Sequence, residues 1–288
     1  MKMTDLREFA NLLPKRHEKA NKYDYGNLLI IGGKKGMAGS VSLAAMAALR
    51  SGAGLVHLYV PCSIADTLAI KLTEPIIHTG PSDSKGAFAL TNQEKLFDLF
   101  QNIDAVAIGP GLGLGLGARH VLRSVIEHFK GPILLDADAI NILAEEKEDF
   151  INHKNIYLTP HEREFQRLSG FSLNEINSDR KHFLQTYLDG KDINILLKGH
   201  HSLIASKDEC YINETGNSGM ATAGSGDALT GVAVSLLARE DSLDMLRLAC
   251  FLHGYAGDLA ALELGQDGMI ASDIIAYLPK AIKSLREC

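Results

Sequence analysis

Residues 216–227, GNSGMATAGSGD, run without a break into the apolar stretch 228–237. Glycines at the start of a helix leave its first amides uncovered, and a helix N-terminus carries roughly half a positive charge together with unpaired N–H groups. Gly224, Ser225 and Gly226 therefore form a candidate anion hole, suited to holding a phosphoryl group and neutralising the charge that develops as it is transferred. Asp227 stands next to them, where a carboxylate can take the proton of a substrate hydroxyl as that hydroxyl attacks phosphorus. An aspartate here is also a good helix cap. The density of glycine around it favours the catalytic base.

A second group, Lys198-Gly199-His200-His201-Ser202, follows the apolar run 193–197 and offers a cation, a glycine turn and polar side chains. Lys198 is a candidate phosphate contact. The paired histidines invite a metal reading, but adjacent side chains are expected to point apart and no third ligand has suitable spacing, so none is assigned. Thr159-Pro160-His161-Glu162 has the pattern of a helix start, with Thr159 as cap, Pro160 at the first position and Glu162 at the third. Thr159 and Pro160 are read as structural. His161 and Glu164 lie on that first turn and can reach a ligand, Glu164 holding magnesium through water. Asp136 and Asp138 either serve a polar cleft or cap a helix.

These groups need a frame. Short β-branched runs at 28–31, 55–60, 105–108, 133–135, 156–158 and 193–197 alternate with segments of helical period, as expected of strands buried on both faces of a parallel sheet. The last third reads as helices over 229–239, 242–264 and 272–285, and residues 80–90 as a surface loop, with Thr91 and Glu94 opening the next helix. Ligands in such sheets collect beyond the carboxyl ends of the strands. There the sequence places two more glycine loops, 32–40 and 109–113. Neither fits GxGxxG or a P-loop. The predicted architecture is one α/β domain over 1–288, its mostly parallel central sheet covered by helices on both faces.

Composition narrows the class. With 29 Lys and Arg against 35 Asp and Glu, the net charge of -6 disfavours a nucleic-acid partner, so any phosphate site must be local. The four cysteines form no CxxC pair, and no apolar run reaches the roughly 20 residues that span a bilayer. A cytoplasmic protein without membrane or nucleic-acid partners is expected.

Seven segments together carry a resemblance: YGNLLIIGG (25–33), GMAG (36–39), IGPGLG (108–113), LDADA (135–139), LTPH (158–161), KGHH (198–201) and 216–227. In this order they resemble the ADP/ATP-dependent NAD(P)HX dehydratases, a branch of the ribokinase-like superfamily. The resemblance implies a ribokinase-like fold and nucleotide-dependent repair of hydrated NADH and NADPH (NADHX and NADPHX), with magnesium and with ADP or ATP as co-substrate. It implies that Ala38, Gly39, Gly111, His161 and Asp227 face the hydrated nucleotide, while Lys198, Gly199, His200, His201, Ser202 and Gly226 contact the adenine nucleotide. Related vitamin-precursor kinases tend to have Asn at the position of His161. Family members often have Gly before the glutamate, where this chain has Arg163. A homotetramer and a separate epimerase, in a stand-alone form, are also implied. Two other readings are a kinase of a hydroxymethylated heterocycle, which would release a phosphorylated product, and a non-catalytic nucleotide sensor.

Overall fold

The computed structural model describes residues 3–13, 15–91, 94–146 and 155–288, the side chains of residues 3–5 excepted. After α1 (Met3–Leu12) the chain enters β1 (Asn27–Ile31), α2 (Ala38–Arg50), β2 (Leu55–Pro61), α3 (Ala65–Lys71) and β3 (Ile76–Gly80). It continues through α4 (Glu94–Phe100), β4 (Ala105–Ile108), α5 (Leu116–His128), β5 (Ile133–Leu135), α6 (Asp138–Glu146) and β6 (Ile156–Leu158). Three short helices, α7 (Glu162–Ser169), α8 (Leu173–Ser178) and α9 (Arg180–Leu188), lead to β7 (Asn194–Leu197). The hairpin of β8 (Leu203–Ala205) and β9 (Cys210–Ile212) precedes α10 (Ser225–Leu237), α11 (Leu243–Leu264) and α12 (Ala271–Arg286).

All nine strands join one sheet in the order β3-β2-β1-β4-β5-β6-β7-β8-β9. The first seven are parallel, and β8 and β9 pair antiparallel. Every residue of β1, β4, β5, β6 and β7 is buried, because helices cover both faces. One core joins the sheet to α2, α10, α11 and α12, and the other joins it to α4 through α9. The chain goes from β1 outward to β2 and β3, then returns to start again at β4 on the other side of β1. That reversal splays the loops after β1 and β4 in opposite directions and opens a crevice at the carboxyl end of the sheet.

Several boundaries differ from the sequence reading. Strand β3 was not anticipated; as an edge strand with mixed exposure it lacks the continuous apolar pattern of its neighbours. The three-residue strands β8 and β9 are too short to register as a period. The loop at 80–90 is not wholly superficial, since Phe88 is buried and stacks on Tyr59. Residues 92 and 93 of the helix start read at Thr91 lie outside the described residues. Helix α10 begins three residues before the apolar run, so the glycine segment itself supplies its first turn. Among the described residues no helix is long and apolar enough to cross a membrane.

Candidate active site

Two helices converge at the crevice. Helix α2 follows the loop after β1, and α10 packs along it so closely that a Cβ on Gly231 would meet Ala44 O at 2.0 Å. Close packing brings their first turns side by side. Gly224 caps α10 with φ of +88°, a left-handed conformation natural to glycine, and a Cβ there would meet Leu43 Cδ1 at 2.4 Å. The amides of Gly226 and Asp227, in the first turn of α10, have no carbonyl one turn earlier in the helix to bond.

Asp227 projects from that turn beside α2. Burial and the negative charge of Asp136 push its carboxyl up to about 6, with a hydrogen bond from Ser40 and the Lys198 ammonium opposing the rise. A carboxylate in this range is well matched to proton abstraction near neutral pH.

Asp136, at the carboxyl end of β5, is fully buried and saturated. Its Oδ1 accepts from Lys198 Nζ at 2.7 Å and from Thr159 Oγ1 at 2.9 Å, and Oδ2 accepts from Thr230 Oγ1 at 2.7 Å. Burial raises this carboxyl, but the lysine and the hydroxyls outweigh it and hold Asp136 below the usual carboxylate range. For Lys198, burial lowers the ammonium while Asp136, Glu164 and Asp227 more than offset it. Lys198 is therefore a fixed cation, and its Nζ lies 3.6 Å from where a Cβ on Gly226 would stand.

Sequence reasoning left Asp136 undecided and gave Thr159 the wrong task. Thr159 is not the cap of α7, because the helix begins two residues later than its pattern suggests. His161 is the N-cap, its Nδ1 accepting from the amides of Arg163 and Glu164 at 3.1 and 3.2 Å, while Glu164 Oε2 accepts from the His161 amide at 2.9 Å. With Nδ1 accepting, the neutral ring carries its proton on Nε2, which lies 3.3 Å from Glu164 Oε1. Burial and Lys198 depress the His161 pKa and keep that neutral form. Glu164 is buried and raised by that burial, with Lys198 in part offsetting it. Asp138 accepts from the Gly113 amide at 2.7 Å and so fastens the loop after β4.

The glycine loops make the other wall. Gly33 N donates to Pro110 O at 2.8 Å, and a Cβ on Gly111, at φ +61°, would stand 2.9 Å from Met37 Cβ. Gly111 thus abuts the residue just before Ala38 and Gly39 and near Ser40, so these groups share one side of Asp227.

On the other side lies a cavity of about 710 Å³. Lys198, Gly199, His200, His201, Ser202 and Gly226 all line it, with Ser225 between the turn and α11. Its volume falls within the roughly 300–1,000 Å³ typical of small-molecule sites. The far wall is the segment 213–218, tied down by Asp258, which accepts from the Gly216 amide and from Asn217 Nδ2, each at 2.9 Å. The rings of His200 and His201 lie together at 4.0 Å rather than apart, because His201 takes a left-handed φ of 54°. Among the described residues no three His, Cys, Asp or Glu are arranged to hold a metal ion.

Two residues of the candidate site were missed. Arg180 donates to the carbonyls of Leu197 and Lys198 at 3.2 Å and of His200 at 2.6 Å, and so holds the turn after β7 in shape. His253 lines the cavity 3.5 Å from Ser225 Oγ, lowered to about 4 chiefly by burial and therefore neutral. A lone histidine within the apolar sequence of α11 was the available signal for it.

Residues 28–280 match the NAD(P)H-hydrate dehydratase family. The chain is 38% identical over 278 residues to the bifunctional NAD(P)H-hydrate repair enzyme Nnr of Moorella thermoacetica, an alignment covering 96% of this chain and 52% of that protein. It thus spans about half the length of several relatives it matches. It is 36% identical to the ADP-dependent (S)-NAD(P)H-hydrate dehydratase of Neisseria meningitidis over 95% of this chain and 90% of that one. Among solved structures, the Bacillus subtilis ADP/ATP-dependent NAD(P)H-hydrate dehydratase co-crystallised with ATP and Mg2+ superposes with a TM-score of 0.80, at 26% identity and 97% coverage of both chains. A ribokinase-like superfamily protein of Enterococcus faecalis gives a TM-score of 0.87, at 24% identity, covering 100% of this chain and 96% of that one. The fold is ribokinase-like.

Proposed function

The chain belongs to the NAD(P)H-hydrate dehydratase family, and from that premise we propose that it returns hydrated NADH and NADPH to their active forms at the expense of ADP or ATP. The observation that carries this reading is Asp227: a carboxyl at about 6, in the first turn of α10, between the glycine-lined crevice and the cavity that holds Lys198.

In this reading the hydrated nicotinamide lies in the crevice against Ala38, Gly39, Gly111 and His161. The adenine nucleotide occupies the cavity against Lys198, Gly199, His200, His201, Ser202 and Gly226. Asp227 takes the proton from the ring hydroxyl as its oxygen attacks the terminal phosphorus and displaces the nucleotide one phosphate shorter, and the amides of Gly224 and Gly226 receive the charge on the phosphoryl group, the Ser225 amide being turned instead to Thr222 O at 3.3 Å. Breaking the carbon–oxygen bond, with loss of a proton from the neighbouring ring carbon, then releases phosphate and restores the double bond. A hydroxyl leaves poorly; a phosphate leaves well. Lys198 is supported as the phosphate contact by its own anchoring, since Asp136 fixes the ammonium without letting it follow the departing charge.

Magnesium fits only as a companion of the nucleotide. Glu164 has its carboxylate committed to His161, so its contact to a metal runs through water, and the ion's contribution would be neutralisation of phosphate charge. The proposal carries with it a homotetramer, an epimerase partner for the wrong epimer of the hydrate, and a cytoplasmic place of action.

The test is to mix the purified chain with hydrated NADH, magnesium and either nucleotide and to follow the dihydronicotinamide absorbance. Its return with one nucleotide supports the reading and names the donor. No return with either, using substrate that a known dehydratase consumes, overturns it.

A further inference from the structure

Helices α2, α10 and α12 all end at the rim of the sheet opposite the crevice. There α2 finishes at Arg50, α10 is followed by Arg239, and the last turn of α12 carries Lys283 and Arg286. Arg16 joins them from the segment before β1. These five cations line one cavity of about 370 Å³, and Glu287, already paired with Lys283 at 3.6 Å, is the one carboxylate among its described lining residues. In a chain of net charge -6, five cations to one carboxylate reverse the overall bias.

A cation at a helix C-terminus is ordinary, contributing roughly 0.3–1 kcal/mol against the macrodipole. That explains one cation per helix. It does not explain the way two of them converge. Arg16 donates to Gly52 O at 2.8 Å, and Arg239 donates to the same carbonyl oxygen. Both also lie over the ring of Tyr25, their Cζ atoms 4.0 and 5.4 Å from its centroid. Neither forms an ion pair among the described residues, and Arg239 Nε is buried without an acceptor. Burial and then the charges of Arg16 and Arg286 lower Arg239 to about 10. Like charges held together by stacking and a shared carbonyl, with a donor left over, make a site organised for an anion that the protein does not itself supply.

We propose that this cavity binds a small polyanion bearing two or more phosphate groups. Guanidinium forks match phosphate oxygens two at a time, and a local excess of about four positive charges suits a multiply charged ligand better than a single carboxylate. The volume sits at the low end of small-molecule sites, enough for an oligophosphate or a phosphorylated sugar. The site is separate from the crevice, because α10, with its 13 residues, spans about 20 Å between them. It does not depend on the proposed dehydratase activity.

The test is calorimetric titration of the full chain with pyrophosphate, and in a second arm with fructose 1,6-bisphosphate, at low salt without magnesium and with ADP present throughout. Arg16→Gln combined with Arg286→Gln is expected to weaken binding about tenfold or more, and Lys283→Gln, a change at an exposed side chain, by a smaller factor. Pyrophosphate binding alone identifies an inorganic oligophosphate, and tighter binding of the sugar an organic one. Thermal midpoints measured without ligand verify that the variants fold. An unchanged affinity in the folded double variant, or no binding to the unaltered chain in either arm, overturns the proposal.

Discussion

Replacing Asp227 by Asn removes a charge from a place where the fold opposes it. Moving the carboxyl from 3.8 to about 6 means that ionisation in the folded chain is about 3 kcal/mol less favourable than in the unfolded chain. An amide of the same shape avoids that cost but presents an NH2 group without an assigned acceptor, so the net stabilisation is expected to be about 1–3 kcal/mol. In a chain of this size that raises the thermal midpoint by roughly 2–10 °C. The sign with pH follows from linkage. A carboxyl raised in the fold weakens stability fully above its folded value of about 6, and the penalty shrinks as pH falls from 6 and vanishes below 3.8, where both states are protonated. The stability gap between Asp227→Asn and the parent should therefore be wide at pH 8 and close progressively below pH 6. Turnover should fall by about 100- to 10,000-fold, with nucleotide binding retained. Thermal melts across pH, with turnover measured on the same preparations, check both halves. A variant no more stable than the parent at pH 8, or a gap independent of pH, would refute the argument that this carboxylate is held under strain. Retained turnover would remove Asp227 from the chemistry.

Three further outcomes are expected. The rate at low substrate, kcat/KM, should lose activity as pH falls through about 6, because Asp227 must be ionised, and Ser40→Ala should move that limb to higher pH by removing a hydrogen bond that favours the carboxylate. Lys198→Met leaves Asp136 buried and unpaired, and should cost about 3–5 kcal/mol in denaturant unfolding; Lys198→Met with Asp136→Asn should recover much of that loss. Gly231→Ala drives a methyl group into Ala44 O, so it should cost about 1–3 kcal/mol and loosen the register of α2 against α10, seen as a lower unfolding midpoint.

The alternation of strand and helix was legible because strands buried on both faces are continuous apolar runs, a local signal. The glycine segment was legible for the same reason: its meaning lies in residues that follow one another directly. What escaped depends on distance along the chain. Asp136 looks like a helix cap from its neighbours, and only the arrival of Lys198, 62 residues later, shows it as the anchor of a fixed cation. Thr230, 94 residues from Asp136, could not be connected to it from spacing. Arg180 sits in a polar helix and acts through carbonyls of the turn after β7, so its side chain gives no motif. The shift of the α7 cap from Thr159 to His161 reflects a capping box in which an imidazole takes the part usually given to a hydroxyl.

The central claim is that the ring hydroxyl leaves as phosphate, and the fate of its oxygen tests this most directly. Hydrated NADH carrying heavy oxygen in that hydroxyl should be turned over with unlabelled nucleotide, and the phosphate and water analysed by mass spectrometry. Transfer of phosphoryl to the hydroxyl followed by elimination predicts the heavy oxygen in the released phosphate. Heavy oxygen in water, with unlabelled phosphate, would contradict the account, and a stable phosphorylated product retaining the label would identify a kinase instead.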